Sequence, residues 1–300
     1  SHVRHVTCGL KFLAPWPAAP LASRERRWWR VRVQTDKGWT RWSEAAAVEA
    51  TLLRPEDWIA RPISPISNKG RIERGPAPLL RREFALAGEC RRARLYVTAL
   101  GVHDVQINAV PVGNDLLEPG WTAYRGRHLF ATYDVTSLLR SGGNVISSAL
   151  GEGWWRGELT WMKRRGCYGD TTALLAQLEI ETLEGERIVI ATDETWRGGY
   201  GGLGLAELYD GADFDERLEP SDWRSAGFDD SGWEPVVVLD RPATLEPRAM
   251  PGVQVLQVVP PHSVTRDGNR IQVDAGQNLA GYSTTKKSYT IRLLHMRSLG

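Results

Sequence analysis

Cysteine is scarce: Cys8, Cys90 and Cys167 are the three in 300 residues. They are too few and too scattered for a disulfide framework or a structural zinc site, so buried free thiols are expected. Histidine is thin as well. His2, His5, His103, His128, His262 and His295 are spread along the chain. Beyond the terminal pair, no two stand at metal-ligand spacing on one element, and neither a metal nor a cofactor is expected. No apolar run approaches the ~20 residues of a membrane span. No charged start followed by an apolar stretch marks a signal peptide. A soluble protein follows, with no membrane partner and with a cytoplasmic location favoured. Charge of one sign is also lacking. The 38 basic and 36 acidic residues leave a net charge of +2 and are mixed everywhere, which gives no nucleic-acid footprint. There is no Gly-x-Ser-x-Gly elbow. Residues 198–204 are glycine-rich, but the Lys-Ser/Thr pair and helix of a phosphate-binding loop do not follow.

What the chain does have is tryptophan, thirteen in all, within an otherwise ordinary 42% apolar and 25% charged composition. Most of these rings are expected in cores and between domains; some suit sugar binding, because a flat aromatic face stacks on a sugar ring. The stretch 93–157 organises the rest. Residues 94–100 and 105–108 alternate in the period-two manner of half-buried strands. Asn108-Ala109 falls between two such runs, where a tight turn belongs. A type I′ turn needs φ > 0 at both central residues, which costs a non-glycine residue about 1 kcal/mol. Residues 129–133 and 145–150 are further strands, and Asp134 and Thr136 can cap a short helical turn between them. The stretch ends in Gly153-Trp154-Trp155-Arg156-Gly157. Downstream, 173–181 and 187–192 read as strands around a turn at Gly185. Upstream, RRWWRVRVQ and WTRWS read as two strands about an Asp36-Lys37-Gly38 turn. Residues 59–78, rich in Pro, Ser and Gly, read as a connecting loop.

Five words stand in a specific order and spacing: 93–101 (ARLYVTALG), 118–124 (EPGWTAY), 132–136 (TYDVT), 151–157 (GEGWWRG) and 168–173 (YGDTTA). In that order they resemble the N-terminal β-sandwich of bacterial α-L-rhamnosidases, a family of inverting glycoside hydrolases. The resemblance continues through 207–217 (ELYDGADFDER) and 222–233 (DWRSAGFDDSGW). Residues 270–281 (RIQVDAGQNLAG) are similar to the start of a second sandwich, with a strand at 288–294. The chain departs from the family at Ala109, Ala212 and Ala275, at His295-Met296-Arg297, and in a shortened 282–289.

The resemblance implies an all-β fold, a jelly-roll-like sandwich flanked by partial β-sandwich domains. The expected division is a partial fibronectin type III-like domain at 1–53, a linker at 54–77, the central sandwich at 78–240 and the start of a second sandwich at 241–300. A fibronectin-like domain needs about seven strands and roughly 100 residues, and about half that length precedes Leu53. In the family, the catalytic acid and base lie in a later barrel of paired helices, so no catalytic residue carries over. The chain alone is expected to be inactive on an aryl α-L-rhamnoside.

Candidate contact residues are Trp154, Trp155 and Arg156, expected at a strand end between glycines, and Trp121 and Tyr124, expected in a loop after Pro119-Gly120. Arg156 would reach sugar hydroxyls in one reading and carboxylates of a partner in the other. Asp210 and Asp213 join them as loop carboxylates; capping or a domain contact is the ordinary role for such clusters, as it is for Asp229 and Asp230. The expected function is a noncatalytic accessory, carbohydrate-binding portion of a rhamnosidase-like hydrolase acting on rhamnose-containing glycans. Two alternatives stand beside it: an interaction module docking on a separate catalytic polypeptide, or a truncated, degenerate copy.

Overall fold

The computed structural model describes residues 19–242, 244–268 and 270–277. The strand expected at 288–294, the shortened 282–289, His295-Met296-Arg297, Cys8, His2 and His5 lie outside the described residues. Two compact units divide between Trp58 and Ile59. Among the described residues the structure is built almost wholly of strands, and its α-helix is a single turn at Gly153–Arg156 (α1).

The first unit holds two hairpins. Strand β1 (Arg26–Trp29) pairs antiparallel with β4 (Ala46–Glu49). Between them β2 (Gln34–Thr35) and β3 (Gly38–Trp39) close on the expected Asp36-Lys37 turn.

The second unit carries the main sheet. Its strands are β5 (Ile63–Pro65), β6 (Pro78–Leu86), β7 (Cys90–Leu100), β8 (Val102–Ile107), β9 (Val110–Pro111) and β10 (His128–Asp134). They continue with β11 (Gly142–Gly151), β12 (Ala173–Thr182), β13 (Arg187–Ala191), β14 (Arg197–Tyr200), β15 (Leu203–Glu207) and β16 (Gly211–Phe214). The last are β17 (Glu234–Val238), β18 (Leu245–Pro247), β19 (Ser263–Asp267) and β20 (Arg270–Asp274). One layer runs β18-β10-β7-β12-β5, with β13 on β12, and the other runs β14-β6-β11-β8-β9. Strand β17 joins them, pairing with β5 through Val236–Val238 and with β14 through Glu234 and Pro235.

The two layers meet because each strand offers apolar side chains at every second position. Leu95, Val97 and Ala99 of β7 and Leu174, Ala176, Leu178 and Ile180 of β12 face one way. Leu80 of β6, Val105 and Ile107 of β8 and Ile146 and Leu150 of β11 close on them from the other layer. Each such Leu or Ile contributes about 1.5–3 kcal/mol by leaving water. The centre of the first layer is covered on its other face too. There Gln177 is buried and its Oε1 accepts from the amides of Ile59 and Ala60 (2.8 and 3.2 Å).

Local details follow the sequence closely. Asn108 and Ala109 take φ of 52° and 64°, the left-handed pair a two-residue turn between Ile107 and Val110 requires. Asn108 tolerates this because its side chain is fully engaged. It donates to Leu138 O and Asn144 Oδ1, and accepts from the Val145 amide. Asp134, expected as a cap, instead accepts from the Thr136 amide at 3.1 Å just ahead of the 3-10 turn Thr136–Leu138, whose N-cap residue is Val135.

One reading changes. The stretch 59–78, expected as a connecting loop, contains β5, whose three residues are all buried. Its prolines fit an extended segment, and Ile63 is drawn into the core opposite Leu174. The glycine-rich 198–204 holds most of strand β14 and the start of β15. At Gly199 a Cβ would come within 2.6 Å of the Trp233 ring, so glycine there lets the indole lie directly on the strand.

Candidate functional site

The end of β11 delivers the chain into α1. Glycine is needed at the exit of that turn. A Cβ at Gly157 would collide with the Gly153 carbonyl and the Glu207 carboxylate. The turn closes through Arg156 N to Glu152 O and Gly157 N to Gly153 O, both 3.2 Å. Successive residues of a helical turn point about 100° apart. Trp154, Trp155 and Arg156 therefore leave on three bearings although they are adjacent in sequence.

Trp155 turns inward. Its Nε1 donates to Thr171 O at 3.0 Å. Its ring meets Tyr124 edge-on at 5.4 Å and His128 at 5.4 Å, and Tyr124 meets Tyr168 at 5.0 Å. Tyr124 is buried, and its hydroxyl donates to Gly120 O at 2.8 Å. Burial, helped by Tyr168, pushes that hydroxyl's pKa up. Burial also lowers His128 to about 4, so the imidazole is neutral at pH 7.

Trp154 is half-buried and lies parallel to Trp121, with centroids 6.2 Å apart and planes 8° apart. Trp121 is 57% exposed. The exposed Trp121 ring is thus backed by a second, parallel indole, and the neighbouring Trp155 belongs to a separate cluster with Tyr124, Tyr168 and His128.

Arg156 turns into the protein and is 1% exposed. Its guanidinium donates to Asn68 Oδ1 at 2.8 Å and Arg71 O at 3.2 Å, and lies 3.3 Å from Glu152. This corrects the expectation of a contact group. Arg156 and Tyr124 are internal supports, since side chains this buried do not reach a sugar or a partner at the surface.

Around α1 lies a cluster of charge. Arg165 binds Glu152, and Arg74 bridges Glu158 and Asp210. Lys163 stands 3.6 Å from Glu158 and 3.9 Å from Asp210. Burial pushes the Glu158 carboxyl up, but Arg74, Lys163 and Arg165 outweigh it and hold the group below its ordinary range. Glu207 is spent on backbone, accepting from the amides of Glu158 (2.6 Å), Tyr209 (2.6 Å) and Asp210 (3.2 Å). It thereby ties the β15 end to the residue after Gly157.

The carboxylates are ordinary structural groups. Asp213 sits exposed on β16 opposite Leu205, Asp215 is held by Arg217, Asp230 by Arg81, and Asp229 accepts from Ser231 N. Asp210 and Asp213 do not join the indole platform through any contact among the described residues. No group of three or more His, Cys, Asp or Glu that could hold a metal occurs among the described residues. No described helix is long and apolar enough to cross a membrane.

The sequence reading missed His128, Tyr168 and Glu207 as parts of this site. Tyr168 opens the word YGDTTA and Glu207 opens ELYDGADFDER, so both stood inside recognisable words. His128 had no such flag.

The geometry sits within a stretch matched by a family model. Residues 88–257, more than half of the chain, match the model described as alpha-L-rhamnosidase N-terminal domain. The chain belongs to the α-L-rhamnosidase N-terminal domain family. Residues 2–54 match a second model, the Rha78A-like N-terminal immunoglobulin domain. An α-L-rhamnosidase of Formosa agariphila is 34% identical over 279 residues, covering 89% of this chain and 30% of that protein. The crystal structure of native α-L-rhamnosidase from Aspergillus terreus is 36% identical with a TM-score of 0.83, covering 88% of this chain and 31% of that one. A Streptomyces avermitilis α-L-rhamnosidase complexed with L-rhamnose is 29% identical with a TM-score of 0.65, covering 83% and 26%. The chain thus spans roughly a third or less of the relatives it matches. The all-β fold expected from the words of the sequence is the fold of that N-terminal region.

Proposed function

We propose that the chain is a noncatalytic accessory part of an α-L-rhamnosidase-like glycoside hydrolase and contacts rhamnose-containing glycans through the Trp121–Trp154 platform. One observation carries the reading: an exposed, flat indole face held rigid by a second, parallel indole. L-Rhamnose bears a methyl group at C6, so its apolar face is broad and suits such a surface. The relatives' names support the glycan class, and their extra length leaves room for acid and base residues elsewhere. Inverting hydrolysis needs two carboxyl groups about 6.5–9.5 Å apart across the bond, one with a raised pKa. Glu158 is held below its ordinary carboxyl range by Arg74, Lys163 and Arg165, which does not suit a general acid.

Titration of the whole chain with methyl α-L-rhamnoside is expected to give a saturable change in tryptophan fluorescence. Trp121→Ala abolishes it, with a stability change under about 0.5 kcal/mol because the side chain is exposed. No saturable change in the unsubstituted chain would reject sugar contact. A second reading, docking on a separate catalytic polypeptide, is favoured by Trp161, which is 90% exposed at the tip of the turn bridged by Leu159 and Arg164. The same experiment separates the two, since a docking module gives no signal with free sugar.

A further inference from the structure

The first unit carries an exposed ladder of alternating indoles and guanidiniums. Along residues 26–33 the side chains alternate in direction, as strand geometry requires. Arg26, Trp28, Arg30 and Arg32 fall on one face, and Arg27, Trp29, Val31 and Val33 on the other. The neighbouring segment is pinned to this one by Ser43 N to Val31 O (2.7 Å) and Thr40 N to Val33 O (2.9 Å). Ser43 Oγ and Thr40 Oγ1 accept from the amides of Val31 and Val33 in return. This pairing brings Trp39 and Trp42 to the arginine face. Arg30 lies 4.9 Å from the Trp42 ring centre, Arg32 4.6 Å from the same ring and 4.5 Å from Trp39. Further along, Arg26 lies 5.0 Å from Trp28. The order Trp39–Arg32–Trp42–Arg30 is thus a continuous stack, with Trp28 and Arg26 extending the stripe to about 20 Å.

Two features make this a binding surface and not a core in waiting. The valines point away from the ladder, so whatever covers Val31 and Val33 leaves the ladder's indoles, Trp28 and Trp39 among them, in solvent. Arg24 and Arg27 have carboxylate partners, Asp57 and Glu25. Among the described residues Arg30 and Arg32 have none within ion-pair distance; indole faces hold them flat and leave their donor edges open.

We propose that this ladder binds an acidic polysaccharide, a chain of uronate residues. A guanidinium edge matches a carboxylate bidentately, and an indole beside it matches a pyranose face. A polymer presenting a ring and a carboxylate at each repeat offers both features in alternation. A neutral glycan leaves the open guanidinium edges without an anion. The inference is independent of the Trp121 platform, which lies in the other unit.

The test is affinity electrophoresis of the full chain in gels containing polygalacturonate, with a neutral galactan as control. Retardation in polygalacturonate alone, weakening with salt, is expected. Arg30→Gln/Arg32→Gln is expected to bind at least about tenfold more weakly. Arg30→Lys/Arg32→Lys keeps the charge without the fork and is expected to fall between. Near-ultraviolet circular dichroism of each variant reports whether the tryptophans keep their packing, and the lysine pair decides the matter if the glutamine pair unfolds. Unchanged retardation of well-folded variants overturns the proposal. So does equally tight binding of a single-stranded oligonucleotide of matched charge, or a self-association of the unsubstituted chain that the variants lose.

Discussion

The aromatic bracket predicts an acid sensitivity that can be isolated to one residue. His128 is 4% exposed, packed against Tyr124 and Trp155, and burial lowers its pKa from 6.5 to about 4. The unfolded chain binds a proton near pH 6.5, the folded one only near 4. Folding stability from this group is therefore complete above pH 6.5 and is lost as pH falls toward 4. With those two values the loss is about 2 kcal/mol at pH 5 and about 3 kcal/mol at pH 4. His103 has the same pattern, lowered to about 4 by burial and by the Arg248 charge. The unsubstituted chain should thus lose about 4 kcal/mol between pH 7 and 5, and His128→Phe only about 2 kcal/mol. The ion-paired carboxylates Asp57 and Asp215 do not confuse this window, since both are held at about 2. Phenylalanine keeps ring volume, so the variant should stay within about 1.5 kcal/mol of the parent at pH 7. Urea unfolding followed by tryptophan fluorescence at pH 7, 6 and 5 measures this directly. An identical acid loss in His128→Phe and the parent would refute the account.

Two further substitutions probe the backbone. Ala109→Gly relieves a left-handed alanine at φ 64° and should raise stability by about 1 kcal/mol, read as a higher urea midpoint at unchanged slope. Gly157→Ala forces a methyl group against the Gly153 carbonyl and the Glu207 carboxylate, and should cost about 1–3 kcal/mol. It should also abolish any sugar-dependent fluorescence change, because Trp154 and Trp155 sit on the turn that must shift.

Several features of this protein are set by sequence that is local. Strands β7 and β12 and the turn at Asn108-Ala109 depend on neighbours a few residues apart and stand where their residues imply, although β7, read as half-buried, is buried on both faces over 95–100. The order of the five family words likewise marks the N-terminal region of a rhamnosidase without any coordinates. The roles within the word GEGWWRG were decided by tertiary structure. Which of Trp154, Trp155 and Arg156 faces solvent depends on the bearing of one helical turn against partners far away in the chain. Arg156 is claimed by Asn68, 88 residues earlier, and the Glu158 amide by Glu207, 49 residues later. Strand β5 forms in a proline-rich stretch because Ile63 finds Leu174 across the layer. Period-two patterning specifies that a strand exists and which face is apolar. It carries no information on which distant donor or ring will close over a given side chain, and that closure separates the buried Arg156 from the half-buried indoles beside it.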